Sequence, residues 1–352
     1  MTLNDRKWKE FFIAGDKGLF DISSTASGID KNKLNIEGGD IPYLTRSNET
    51  NGINLFISDK QDSKWRMDEK NVITIGLDTQ TVFYQPYKFY TGQNIQVLRH
   101  QKINKDIAMF IISMLKVQKF NWGGNGATLG RLCRTKMMLP VDENGDPDWA
   151  FMEQYIQDIN EEKRKHYLIF CKEQLASIGE LVNIKSFSEI EWKPFYINDI
   201  FKIDSGKRLE SYNMVVGKRP FIGSTDSRNG ITNYIANKNA SLDRNVLGVN
   251  YNGGTAISFY HPYECVFSDD VKRFHLKEYT DNKFVLLFFK TIILQQKNKY
   301  SYAYKFNSTR MKRQIIMLPV NDAGNPDYEY MEQYIKNLMI KKYKAYLEYV
   351  EK

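Results

Sequence analysis

Cysteine is scarce in this chain of 352 residues: Cys133, Cys171 and Cys265 are all there is, odd in number and far apart. That count and spacing exclude a disulfide framework and a CxxC-type zinc site, and suit a reducing compartment. Histidine is limited to His100, His166, His261 and His275, with no metal-ligand spacing among them. No apolar run reaches membrane-spanning length, and the opening MTLNDRKWKEFF has no apolar core of signal-peptide length. The expectation is a cytoplasmic protein with no membrane association.

Catalytic signatures are missing as well. WGGNGATLGR at 122–131 is glycine-rich but lacks the Gly-Lys-Ser/Thr ending of a phosphate loop. Gln85-Pro86-Tyr87 and His261-Pro262-Tyr263 only echo the D/N/S-PP-Y/F loop of adenine methyltransferases. The second proline and the leading acid or amide are absent, so both read as strand-end turns. No catalytic constellation emerges, and no cofactor is expected on this chain.

What is present is globular: 42% hydrophobic residues, 14% aromatic, in a length that suits two domains. The formal charge of +8 leans towards an anionic partner, a weak signal by itself. The strongest signal is a repeat. MLPVDENGDPDWAFMEQYI at 138–156 returns as MLPVNDAGNPDYEYMEQYI at 317–335, with twelve of nineteen positions identical and an offset of 179 residues. Trp8 answers Trp192, Asn51-Gly52 answers Asn229-Gly230, and Pro86 answers Pro262, in the same order. Two copies at this period mean two similar domains, not a solenoid.

Each copy begins with short strands broken by Gly, Asn and Pro, such as VITIGL and TVFYQ, then TAISFY and ECVFS. A buried helix follows (DIAMFIISMLKVQ, KFVLLFFKTIILQQ), so each domain is expected to be α+β. The repeated motif then opens a long helix. Asp146 and Asn325 are the expected N-caps, Pro147 and Pro326 the first helical residues, and Asp148 and Asp327 complement the helix dipole. Phe151, Met152, Tyr155, Ile156 and Ile159 make one apolar stripe; Tyr330, Met331, Tyr334, Ile335 and Leu338 make the other. The stripes read as an interface through which the two helices pair as an antiparallel coiled coil about a pseudo-twofold axis. The alternative is that each helix packs only on its own domain. The expected division is 1–145 for the first domain, 146–183 for its helix and linker, 184–324 for the second domain and 325–352 for the last helix. An acid set for a nuclease, Asp148 with Glu161 and Lys163, fails internally, because the second copy keeps Asp327 but has Ile340 and Lys342.

This organisation resembles the DNA-specificity (S) subunits of restriction-modification systems, both the compact type IIB, BcgI-like subunits and the larger type I subunits. The Trp8 and Trp192 stretches and above all the duplicated LPV…GxPDxxxMEQYI element carry the likeness. The resemblance implies two target recognition domains, each reading one half of a bipartite duplex-DNA target. It implies methyltransferase or fused restriction-methylation subunits as partners, with a restriction subunit as a further partner. S-adenosylmethionine and magnesium are then expected on those partners.

If the copies share a scaffold but read different half-targets, the reading loops should diverge. The sharpest divergence is KFNWGGNGATLGRLCRTK against KNKYSYAYKFNSTRMKRQ, both basic. Arg pairs bidentately with guanine and Asn with adenine, whereas other basic side chains hold phosphates. The candidates here are Asn121, Asn125, Arg131 and Arg134, and Lys305, Asn307, Arg310 and Arg313. A second region, LTRSNETNG against GSTDSRNG, offers Arg46, Asn48 and Arg228, while Asn51 and Asn229 read as turn residues. Lys207 and Arg208 are candidate backbone contacts. A methyltransferase or nuclease with degenerate motifs is the rival reading, and an assembly protein that reads no DNA is the third.

Overall fold

The computed structural model describes residues 2–117, 126–254, 256–300 and 304–351. The chain divides into two compact units, Met1–Tyr167 and Leu168–Lys352.

In the first unit nine strands form two sheets: β1 (Lys7–Ala14), β2 (Gly18–Ser24), β3 (Ile41–Leu44), β4 (Ile53–Ile57), β5 (Val72–Gly76), β6 (Val82–Gln85), β7 (Tyr90–Thr91), β8 (Ile95–Arg99) and β9 (Lys136–Val141). The larger sheet runs β6-β5-β8-β2-β1-β9 and the smaller β4-β3-β7. β1 and β9 pair antiparallel, joining the domain's opening to the LPV element. The only parallel pair of the larger sheet, β1 with β2, is reached by a tight loop. Gly18 must be glycine there, since a Cβ would fall 2.2 Å from the Ala14 carbonyl carbon. Helix α1 (Lys105–Val117) lays Ile107, Phe110, Ile111 and Leu115 on this sheet, in one core with Ile73, Ile75 and Leu98. A short helix α2 (Leu129–Leu132) precedes β9, and the long helix α3 (Trp149–Ile178) follows it.

The second unit repeats the plan with β10 (Trp192–Tyr196), β11 (Phe201–Ser205), β12 (Val216–Ile222), β13 (Ile231–Ile235), β14 (Val246–Asn250), β15 (Ser258–His261), β16 (Val266–Phe267), β17 (Val271–Leu276) and β18 (Ile315–Pro319). Its sheets are β11-β17-β14-β15, β10-β18 and β13-β12-β16. The large sheet of the first unit is thus cut in two, where a short helix α4 (Ile197–Ile200) separates β10 from β11. Helices α5 (Lys283–Leu294), α6 (Ser308–Arg313) and α7 (Tyr328–Glu351) complete the unit. Both domains are α+β, as the strand and helix patterns predict.

The long helices begin two residues later than the sequence suggests. Phe151 N–H donates to Asp148 Oδ1 and Tyr330 N–H to Asp327 Oδ1, each at 2.9 Å, so Asp148 and Asp327 are the caps. Asp146 and Asn325 instead belong to a preceding turn closed by the side chains of Asp142 and Asn321, which accept their amides at 3.1 Å. That turn keeps the chain extended through the prolines, which form β-bridges with Val141 and Val320. Losing a cap costs about 1 kcal/mol. Asp148 also pairs with Arg6 Nε at 2.8 Å, whereas Asp327 has no ion pair among the described residues. Asp148→Ala is therefore expected to destabilise its domain by about 2 kcal/mol and Asp327→Ala by about half that, by denaturant melts. Equal losses would show that the Arg6 pair contributes nothing.

The stripes also differ from expectation. Met152 and Met331 are fully buried in their own domains' cores, with Tyr155 and Ile156 packed beside the first and Tyr334 and Ile335 in the second. Phe151 is buried under the Arg6 guanidinium and stacked on Tyr155; Tyr330 stacks on Tyr334 and donates its hydroxyl to the Lys185 carbonyl. Domain cores thus take up the first turns of each stripe, because an apolar face that opens a helix lies beside the sheet it follows. Ile159 is half-buried and Leu338 exposed. Within the second unit, Phe170 meets Tyr343 edge-on at 6.0 Å, and Asn337 bonds both the N–H and the carbonyl of Val182. Among the described residues no helix is long and apolar enough to cross a membrane.

Candidate nucleic-acid interface

The structure brings the two candidate regions of the first domain together. Between β5 and β6 the chain turns through Leu77 and Asp78. Asp78 pairs with Arg46, from the turn after β3. The Leu77 carbonyl accepts the Ala127 amide at 2.7 Å, where the chain enters α2. One exposed edge of the domain therefore holds Arg46, Asp78 and the approach to α2. The β3–β4 turn needs its Asn-Gly: Asn51 sits at φ +56° and its side chain donates to the Tyr84 carbonyl at 2.9 Å. Asn48 is exposed at the tip.

The second domain builds the same corner from other residues. Asn229 stands at φ +54° and donates to the Tyr263 hydroxyl at 2.8 Å. Ser224 bonds the Asn252 carbonyl, and Asn250 Nδ2 donates to the Thr225 carbonyl at 2.9 Å, so the β12–β13 turn again leans on the β14–β15 turn. Arg228 is exposed there, at φ +50°. Lys207 and Arg208 are also exposed, on a segment tied to the end of β16 by the Lys207 amide bond to the Phe267 carbonyl. Arg208 is paired with Glu210 at 3.1 Å. Exposed pairs such as this and Arg46–Asp78 are weak enough to be exchanged for a phosphate.

The residues before the LPV element divide into two kinds. Arg134 and Arg313 are exposed and have no ion pair among the described residues. Arg313 borders an open cleft of about 690 Å³ with Lys299 and Arg310, and no acidic side chain lines it. Arg131 and Arg310 instead turn inward, each donating Nη1 to a carbonyl, Gly126 at 2.9 Å and Lys305 at 2.8 Å. Asn307 has a structural role as well: its Oδ1 caps α6, accepting the Arg310 amide at 3.0 Å. Lys305 is half-buried beside it. Asn121 and Asn125 lie outside the described residues. Sequence reasoning missed Tyr304, whose ring lies 3.8 Å below the Arg310 guanidinium, and Asp78; neither has a signal in a single sequence.

The strand-end turns are as read. Gln85 is buried and donates to Thr74 Oγ1, and His261 is buried with its ring pushed down to about 4 by that burial, so it is neutral. Burial likewise pushes the Cys265 thiol up to about 12, leaving it inert. Among the described residues, no group of three or more His, Cys, Asp or Glu side chains is placed to hold a metal. An apolar cavity of about 400 Å³ in the second domain, between Trp192, Phe288 and Tyr334, has Lys299 as its one charged lining residue and offers no acid-base pair.

Two stretches, residues 6–167 and 189–349, each match the type I restriction modification DNA specificity domain. The chain belongs to this family. It is 41% identical over 337 residues to the type II restriction enzyme BgcI specificity subunit S.BcgI of Heyndrickxia coagulans, with 94% of each chain covered. The fold is also that of the type I restriction-modification S subunit from M. genitalium. That match has a TM-score of 0.50 at 15% identity and covers 100% of this chain and 94% of the other. The protein is thus a non-catalytic specificity subunit of a restriction-modification system, with the specificity domain present twice. Each corner described above occurs once per domain in this specificity subunit, on the same scaffold and with different side chains.

Proposed function

We propose that each domain reads one half of a bipartite duplex-DNA target, and that α3 and α7 pair antiparallel to hold the halves apart. The observation that carries this reading is the duplicated corner: a shared framework of turns presents Arg46 and Asn48 in one copy and Arg228 in the other. Side chains that differ on a framework that does not are what two different half-targets require. Methyltransferase or fused restriction-methylation subunits dock on this chain, and the methyl donor and magnesium belong to them.

The chain alone, incubated with DNA, labelled S-adenosylmethionine and magnesium, is expected to leave the DNA unmodified; with its methyltransferase partner it should methylate one bipartite sequence. Arg134→Ala and Arg313→Ala should each weaken binding across all sequences and lower the salt slope by about one. Label transfer by a preparation free of partner subunits would favour the rival enzyme reading. Methylation without sequence preference would favour the assembly reading.

A further inference from the structure

The segments that diverge most between the copies end on the same fixture. In each domain an arginine at the start of a short helix reaches back five residues and donates Nη1 to a backbone carbonyl: Arg131 to Gly126 at 2.9 Å, and Arg310 to Lys305 at 2.8 Å. The amide of the same arginine is capped by a side chain three residues earlier, Thr128 in one copy and Asn307 in the other. The next residue, Leu132 or Met311, is fully buried in the domain core. Residues 126–128 are Gly-Ala-Thr and residues 305–307 Lys-Phe-Asn, so no side chain they share explains the common geometry. A bond to a main-chain carbonyl is indifferent to side-chain identity, which lets it persist where the sequence around it changes.

The surroundings make the carbonyl a fixed point. Gly126 stands at φ +74°, and a Cβ there would lie 2.5 Å from the Leu77 carbonyl oxygen, which already accepts the Ala127 amide. In the second domain the Arg310 guanidinium carbon also lies 3.8 Å from the centre of the Tyr304 ring. The main-chain bond sets the direction of each guanidinium, and a base contact that needed it to swing away would have to break that bond.

We infer that Arg131 and Arg310 are positioning residues: each clamps the returning end of its domain's reading loop and reads no base itself. This rests on the proposed reading of DNA by the two domains. Arg134 and Arg313, three residues on and outside the clamp, face outward.

The test is selection of duplexes from a randomised pool by the full chain in complex with its methyltransferase partner. Arg131→Met should lower discrimination at all positions of one half-target together, by about tenfold, and leave the other half unchanged. Arg310→Met should do the same to the opposite half. The salt dependence of binding to non-target DNA should not move in either variant. Gly126→Ala perturbs the same carbonyl without touching the arginine and should reproduce the Arg131→Met pattern; it decides the matter if Arg131→Met fails to fold by thermal melt. A loss confined to one base pair would make Arg131 a base reader and overturn the inference. So would uniform weakening with a smaller salt slope, or an unchanged selection. If the wild-type complex selects no bipartite sequence, the proposed function falls and the inference with it, an outcome visible before any variant is made.

Discussion

Asp243→Ala is expected to destabilise the C-terminal domain by about 2–3 kcal/mol, less than the roughly 3–5 kcal/mol of a fully buried ion pair because both partners keep some exposure. The Asp243 carboxylate accepts Arg273 Nη1 at 2.8 Å and lies 3.0 Å from His275 Nε2. The Arg273 side chain is 12% exposed and its Nε has no partner among the described residues, so alanine would leave a part-buried guanidinium holding the Ser205 carbonyl and no carboxylate. The other ring nitrogen of His275 sits 2.7 Å from Asp281, whose second oxygen accepts the Leu276 amide. The network joins β14's approach, β17 and the entry to α5, so its loss should lower the unfolding midpoint of the whole domain. A denaturant midpoint within error of wild type would show that Arg273 finds water instead.

The first domain solves the same problem without a histidine. Asp68 is fully buried and accepts Arg99 Nη2 at 2.8 Å, Thr25 Oγ1 at 2.6 Å and the Ala26 amide at 3.0 Å. Arg99 occupies the strand position that His275 takes in β17, one residue past Leu98 and Phe274, which pair with Ile73 and Leu247. An arginine side chain does not titrate in the working range. His275 does: its hydrogen bonds to Asp243 and then Asp281 raise it from 6.5 to about 9. Burial acts against ionisation of Asp243, but its bond from His275 and the neighbouring charges leave its carboxyl below the usual value. A group held higher in the folded state contributes in full below its unfolded value, and that contribution is lost as pH rises through the folded one. The C-terminal domain should therefore weaken as pH rises from 6.5 through about 9, while the N-terminal domain does not, as followed by hydrogen exchange in each domain. His275→Arg, the first domain's own solution, should flatten that dependence. Parallel decline of both domains would remove His275 as the cause.

Much of this was legible in the sequence because the chain states it twice. The duplicated LPV…GxPDxxxMEQYI element located both long helices and both sheet closures, and Asn51 and Asn229 were read as turn residues from their glycine neighbours. The caps were misplaced because Asp146 and Asn325 have the right chemistry, but Asp142 and Asn321 close a turn around them first. Spacing alone does not tell which surface an apolar face meets, and Met152 and Met331, at the start of each stripe, meet their own domain cores. Within the corner, Arg131 and Arg134 look alike as letters. They differ in which way the short helix turns them, a fact fixed by the burial of Leu132 between them.

Removing seven residues from the exposed stretch 160–167 of α3, matched by seven after Ile340 in α7, is expected to abolish methylation at the original target and restore it at a target with a shorter spacer. Every residue from 160 to 167 is exposed, so the deletion takes nothing from the core that Met152, Tyr155 and Ile156 help to build. Seven residues are nearly two turns, so the helix faces on either side keep their direction to within about 20°. At 1.5 Å per residue the helix shortens by about 10 Å, which is about three base pairs at 3.4 Å each. Three base pairs also turn the duplex through roughly a quarter of its helical repeat or more. A domain displaced by that distance and angle no longer faces its half-target at the old spacing, which is why the effect should be loss and not mere weakening. The bases of each half-target should stay the same, because the corners that hold Arg46, Asn48 and Arg228 are untouched. Methylation mapped across a spacer library by the reconstituted complex reads both quantities at once. If the original spacer survived the deletion, α3 and α7 would not be the ruler, and the repeated motif would serve only to close each domain's own core.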